Sequence, residues 1–230
     1  MRERPILFSA PMVRAILDGR KTQTRRVVKA NLPERMCLPT FHEDDYLVEE
    51  LRGKLSWFEA ESGDAYPCDQ KDAISCPYGK LGDRLWVREA WAQNGLWGRV
   101  SSAGEPFEGD LDWLGTSEIA FKADGETPYL WRGRPSIHLP RWASRIDLEI
   151  TGICVERLQE ISEVDALAEG VESCGFCQEV SFEDGSLVRV TDRTGTVIGA
   201  YRMLWDEING PESWDKNPWV WVIEFRRIRP

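Results

Sequence analysis

Arg145-Ile146-Asp147-Leu148-Glu149-Ile150-Thr151-Gly152-Ile153-Cys154-Val155 is the stretch that decides the fold of this 230-residue chain. Ile146, Leu148 and Ile150 alternate with polar residues, the period of a strand with one face on a core. Gly152 breaks the alternation and reads as a bulge. Working outward, Arg84-Leu85-Trp86-Val87-Arg88-Glu89 alternates in the same way, with Leu85 and Val87 facing the core. Pro218 to Ile228, containing Trp219-Val220-Trp221-Val222-Ile223-Glu224-Phe225, is a closing strand, and residues 5–10 form a short opening one. Three short helices flank these strands. The first starts at Pro11, shows Met12, Ala15 and Ile16 on one face, and stops at Gly19. The second opens with an N-capping Ser162 and runs to Glu169-Gly170. The third spans Ala200 to Ile208, with Tyr201, Leu204, Trp205 and Ile208 on one face, and ends at Gly210-Pro211. Segments at about 30–77, 93–135 and 172–196 lack clear periodicity and read as irregular insertions, apart from a strand at 119–122. The expected fold is a single α+β domain over residues 1–230: a small closed sheet, short flanking helices and long loop insertions.

Composition removes several classes. Hydrophobic residues make up 42% and charged residues 30%, enough for a packed core. No apolar run approaches the roughly 20 residues of a membrane span, and Met1–Phe8 lacks the apolar stretch of a signal peptide. The expectation is a cytoplasmic protein with no membrane partner. Six cysteines are too few for a disulfide scaffold and are read as reduced thiols. Cys174 and Cys177 have the spacing of a zinc knuckle; Cys68 and Cys76 are spaced more widely, so a four-cysteine site stays open beside free thiols. His42 and His138 are the sole histidines, which excludes a His-rich metal site. No metal or cofactor is expected.

The net charge of −10 is unevenly spread. Residues 41–72 carry ten acids against three bases, and residues 156–184 carry nine acids against Arg157 alone. The remainder is basic, with two clusters. Arg14, Arg20, Lys21, Arg25, Arg26 and Lys29 face only Asp18; Arg132, Arg134, Arg141 and Arg145, with His138, have no acid between Thr127 and Ile146. A local cationic site on an acidic protein suits one anionic group or a short nucleotide, not a long duplex held by many phosphate contacts. Trp142, between Arg141 and Arg145, has the composition of a base-stacking platform beside phosphate-holding cations. The alternative is a core tryptophan with snorkelling arginines.

Four segments, in order, resemble the ASCH domain, a PUA-like β-barrel. They are Gly19-Arg20-Lys21-Thr22-Gln23-Thr24-Arg25, Gly82-Asp83-Arg84-Leu85-Trp86-Val87, Leu158-Gln159-Glu160-Ile161-Ser162 with Ala168-Glu169-Gly170, and Trp221-Val222-Ile223-Glu224-Phe225. The chain also resembles the larger ASCH proteins of phages and prophages. The small bacterial members are N4-acetylcytidine amidohydrolases that use a Lys, a Thr three residues on, and a Glu after the middle strand. The resemblance implies Lys21 and Thr24 for the first two and Glu169 for the third, with Glu163 and Asp165 as competitors. It implies an amide hydrolase acting on N4-acylated cytidine, with a nucleoside or short single-stranded nucleic acid as partner. The alternatives are a non-catalytic RNA or modified-base binding module, and a ribonuclease. Arg20, Arg25, Arg26, Arg141, Trp142 and Arg145 are the candidate nucleotide-binding residues.

The chemistry is consistent with those residue types. A threonine hydroxyl needs a base beside it, a lysine serves if like charges depress its pKa, and a carboxylate can carry the proton to the leaving amine. In an extended strand Lys21 and Thr24 point to opposite faces, so residues 21–24 must turn for them to meet. The alternative is a solvated lysine, a strand threonine and a surface glutamate. The expected ligand site is bordered by the 20–26 turn, the 138–145 segment and Glu169, with the acidic windows 41–72 and 156–184 mostly facing elsewhere, apart from Glu169 itself, which must turn inward.

Overall fold

A computed structural model describes residues 1–29, 36–41, 54–61, 64–67, 74–98, 112–126, 128, 131–171, 178–181, 187–190 and 196–228. Five strands build the principal sheet. In chain order, β1 (Glu3–Leu7) precedes helix α1 (Ala10–Leu17), and β2 (Gln23–Val27) follows it. The next segment carries β3 (Met36–Phe41), β4 (Lys54–Glu61), β5 (Asp64–Pro67) and β6 (Ile74–Ser75). Then come β7 (Arg84–Arg88), β8 (Trp91–Gly98), β9 (Asp112–Phe121), β10 (Arg132–Arg134) and the long β11 (Asp147–Arg157). Helix α2 (Glu163–Ala168), the pair β12 (Gln178–Ser181) and β13 (Leu187–Val190), helix α3 (Val197–Asn209) and β14 (Trp219–Arg227) complete the order. The principal sheet runs β1-β7-β11-β14-β2, with β1 and β7 parallel and the other neighbours antiparallel. The three stretches expected to share a sheet, around Leu85, Leu148 and Trp221, do so.

Two apolar layers cover the sheet, and β14 feeds both. Trp221, Ile223 and Phe225 enter a core with Ile6, Val13, Leu85 and Leu148, while Val220 and Val222 enter a second core with Leu158, Ala166, Tyr201 and Trp205. A strand covered on both faces reads as a continuous apolar run, which is what residues 219–223 are. In β11 the ladder to β14 shifts register between Ile150 and Gly152. The extra residue turns Ile153 onto the side already occupied by Leu148 and Ile150, so all three reach the same core. A Cβ at Gly152 would meet Glu224 Oε2 at 2.7 Å. That oxygen is the free end of an exposed side chain, so Gly152→Ala should cost under about 1 kcal/mol in a urea titration. A larger loss would mean Glu224 is held in place.

The α+β class holds, but three expectations change. The sheet is not closed: among the described residues no ladder joins edge strands β1 and β2. Its curl instead brings them within reach of one side chain, Arg26, which donates to the Leu7 carbonyl at 2.7 Å and lies 5.4 Å from the Phe8 ring centre. The insertions are not irregular either. Residues 36–75 hold the four-stranded sheet β3–β6, residues 91–134 hold β10-β8-β9, and β12 pairs with β13. Ile208, expected on the buried face of α3, is 48% exposed. Among the described residues no helix is long and apolar enough to cross a membrane.

Candidate functional site

The site begins where α1 stops. Gly19 takes φ +75°, and the Arg20 and Lys21 amides both donate to the Ala15 carbonyl, at 2.8 and 3.0 Å. Thr22 then straps three elements: its amide donates to Ala168 at the end of α2, and its carbonyl accepts from Phe225 of β14, both at 2.8 Å. Lys21 therefore precedes the strand and turns inward, onto Glu169 and not onto Thr24.

Helix α2 supplies the carboxylate. Ser162 caps it, accepting from the Asp165 amide at 3.1 Å and donating to Asp165 Oδ2 at 2.7 Å. Glu169 follows the last turn, and Gly170 at φ +88° redirects the chain. The α2 end can sit this close to the 20–22 turn because Gly170 has no side chain: a Cβ there would lie 2.8 Å from Ala15 Cβ and 3.1 Å from Lys21 Cβ.

Lys21 and Glu169 meet in the interior, at 2% exposure each. The Lys21 ammonium donates to Glu169 Oε2 at 2.5 Å, to the Glu169 carbonyl at 2.9 Å and to the Gln23 carbonyl at 2.8 Å, which uses all three of its protons. The other carboxylate oxygen, Oε1, accepts from the Arg25 amide at 2.5 Å and from the Tyr201 hydroxyl at 3.3 Å. Burial pushes Lys21 below the ordinary lysine range; Glu169 opposes this, and Arg26 and Arg25 add to the lowering. Burial, then the Glu169 charge, hold Tyr201 well above the ordinary phenol range, so it remains a proton donor.

Thr24, 2% exposed, lies on β2 opposite Ile223. Thr24, Glu169 and Tyr201 line one cavity of 480 Å³. Lys21 does not line it, and among the described residues no hydrogen bond joins Lys21 to Thr24. Glu169 stands between the lysine and the cavity. Trp205 and Arg26 also line the cavity, and the Trp205 indole N–H and Arg26 Nε are buried without a partner among the described residues. A buried donor left unmet costs about 1–3 kcal/mol.

The predicted nucleotide-binding residues divide. Arg26 lines the cavity. Arg25 lines it as well, but its guanidinium is buried in a network: it donates to Glu156 Oε1 at 2.8 and 2.6 Å and to Gln23 Oε1 at 2.5 Å, and lies 3.6 Å from Asp165 and 3.7 Å from Glu169. Arg20 is turned outward onto Asp18 and the Gly170 carbonyl. The 138–145 segment does not line the cavity. Arg145 is clamped by Glu89 at 2.9 Å and Asp124 at 2.8 Å, and Arg141 by Glu3 at 3.1 Å and Asp147 at 3.0 Å. Trp142 is 66% exposed and therefore not a core residue. Of the competing carboxylates, Glu163 is exposed and Asp165 is engaged by Ser162, Gln23 and Arg25. Of the acidic 156–184 window, Glu169 lines the cavity, while Glu156 and Asp165 turn toward Arg25 without lining it.

Among the described residues no three His, Cys, Asp or Glu side chains are placed to hold a metal ion. Cys68, Cys174 and Cys177 lie outside the described residues; Cys76 is buried, and burial pushes its thiol up to about 11. Sequence reasoning missed Tyr201 and Trp205 as site residues, since their helical spacing marks a core face. Their polar tips were the available signal, because a buried Tyr or Trp usually finds a partner for its O–H or N–H. No protein-family model, no curated protein and no solved structure matches this chain.

Proposed function

We propose that the chain is an ASCH-type, PUA-like protein that hydrolyses an amide on a modified nucleobase, of the N4-acylcytidine kind. One observation carries this reading: Thr24 and Glu169 share the wall of the 480 Å³ cavity, with Glu169 held from behind by buried Lys21 and from the side by Tyr201. The cavity volume falls within the range of about 300–1,000 Å³ usual for small-molecule sites. In this reading Glu169 takes the proton as Thr24 Oγ1 attacks the acyl carbonyl carbon. The C–N bond then breaks, the ring amine leaves with that proton, and the acyl group remains on Thr24 as an ester. Water, deprotonated by Glu169, then attacks the ester carbonyl; the C–Oγ1 bond breaks, the acyl group leaves as its carboxylic acid, and Glu169 returns the proton to Thr24 Oγ1. Lys21 is then a positioning residue that fixes the carboxylate and holds its charge, not the group in contact with the hydroxyl.

The test is conversion of N4-acetylcytidine to cytidine by purified protein. Thr24→Ala should lower kcat by about a thousandfold or more without a change in Tm, and Thr24→Ser should recover most of it. Turnover that persists in both Thr24→Ala and Lys21→Ala refutes the assignment. A non-catalytic binder of the same nucleobase class is the second reading, favoured by the saturation of all three Lys21 protons.

A further inference from the structure

The charges on the cavity wall do not match those of the protein as a whole. The chain carries −10, yet Arg26, Lys29 and Lys216 line the cavity, and among the described residues none of the three is in an ion pair. Among the described residues Glu169 is the one acidic side chain on the wall, and it is already engaged by Lys21. Lys29 and Lys216 are exposed and stand on different elements, just past β2 and just before β14. Deeper in, the Trp205 N–H is a buried donor without a partner among the described residues, in an aromatic wall shared with Tyr201. The wall thus offers an aromatic face and a donor inside, and exposed cations at its edge.

Resting on the nucleobase-directed reading above, we infer that the cavity takes a nucleoside 5′-monophosphate in preference to the nucleoside. The base carries the ring acceptors that Trp205 N–H lacks, and the phosphate dianion sits against Lys29 and Lys216. Lysine ammoniums suit this role, since they meet a phosphate as point charges on flexible stems. A cavity of 480 Å³ holds one nucleotide and not a chain.

Calorimetric titration of the full chain with cytidine and with cytidine 5′-monophosphate tests this. The monophosphate should bind at least about tenfold tighter, the scale of one charge-assisted contact. That advantage should fall below about threefold in Lys29→Ala/Lys216→Ala, whose altered side chains are exposed and leave the core intact. It should also shrink as sodium chloride is raised. Equal binding of the two ligands, binding of neither, an advantage that survives the double substitution, or tighter binding of an RNA oligonucleotide than of the mononucleotide would each overturn the inference. A parallel assay of N4-acetylcytidine turnover separates this from the hydrolase reading. Turnover with equal binding removes the phosphate anchor and leaves the hydrolase. Phosphate preference without turnover removes the hydrolase and leaves the anchor.

Discussion

Lys21→Met lowers the free energy of unfolding by about 3 kcal/mol, because it removes the nearer counter-charge of the buried Glu169 carboxylate and leaves Arg25, 3.7 Å away, to face it. The methionine keeps most of the volume, so the loss is electrostatic and not a cavity effect. Lys21→Met/Glu169→Gln should recover most of the stability, since neither charge then remains uncompensated; a double-mutant cycle in urea measures this coupling. If the single and double variants are equally destabilised, the pair is not coupled. The pH dependence has a definite sign. Burial places the folded-state Lys21 pKa below that of the unfolded chain. Between those two values the unfolded chain binds the additional proton, so this position contributes stability that rises with pH. The gap between wild type and Lys21→Met should therefore widen with pH through that window and level off at the ordinary lysine value.

Gly170→Ala should cost about 3 kcal/mol or more. The left-handed conformation accounts for about 1–2 kcal/mol of that. The rest comes from overpacking: the added methyl would sit 2.8 Å from the Cβ of buried Ala15 and 3.1 Å from Lys21 Cβ. Gly19→Ala is the matched control, with a similar φ of +75° and nothing within 4 Å of its Cβ. It should show the conformational cost alone. Equal losses in the two variants would mean that α2 moves away from the 20–22 turn without penalty.

The legible parts of this chain are those in which one period governs one environment. The alternation at Ile146–Ile150 and its break at Gly152 located both a central strand and its bulge, and the apolar run of residues 219–223 located the strand shared by two cores. Lys21 and Glu169, joined beforehand only by a family resemblance, do meet in the interior. What failed was reasoning from charge within a window. Arg141 and Arg145 lie in an acid-free stretch, yet their carboxylates come from residues 3, 89, 124 and 147. Arg25 likewise finds Glu156 across the sheet. Local composition carries no information about such partners. Strands β3 and β5 were hidden for another reason: Pro39 and Pro67 lie inside them, and the β3–β4 ladder shifts register between Cys37 and Thr40. Proline is found mainly at edges and irregularities of sheets, so it lowers the strand signal where strands nonetheless form.

The strand order has a kinetic consequence. Every ladder in β1-β7-β11-β14-β2 joins segments distant in sequence: Glu3 pairs with Arg84, and Gln23 with Glu224. Loop-closure entropy must be met before any of these contacts returns free energy, which slows folding. Strand β2 carries Thr24, and among the described residues its sole ladder is to β14, the strand that comes last in the chain order. A folding chain that has paired β1, β7 and β11 still lacks the part of the cavity wall that β2 supplies, Thr24 to Val27. Refolding should thus show sheet formation ahead of the return of ligand binding, and competence at the site reports on completion of the final strand.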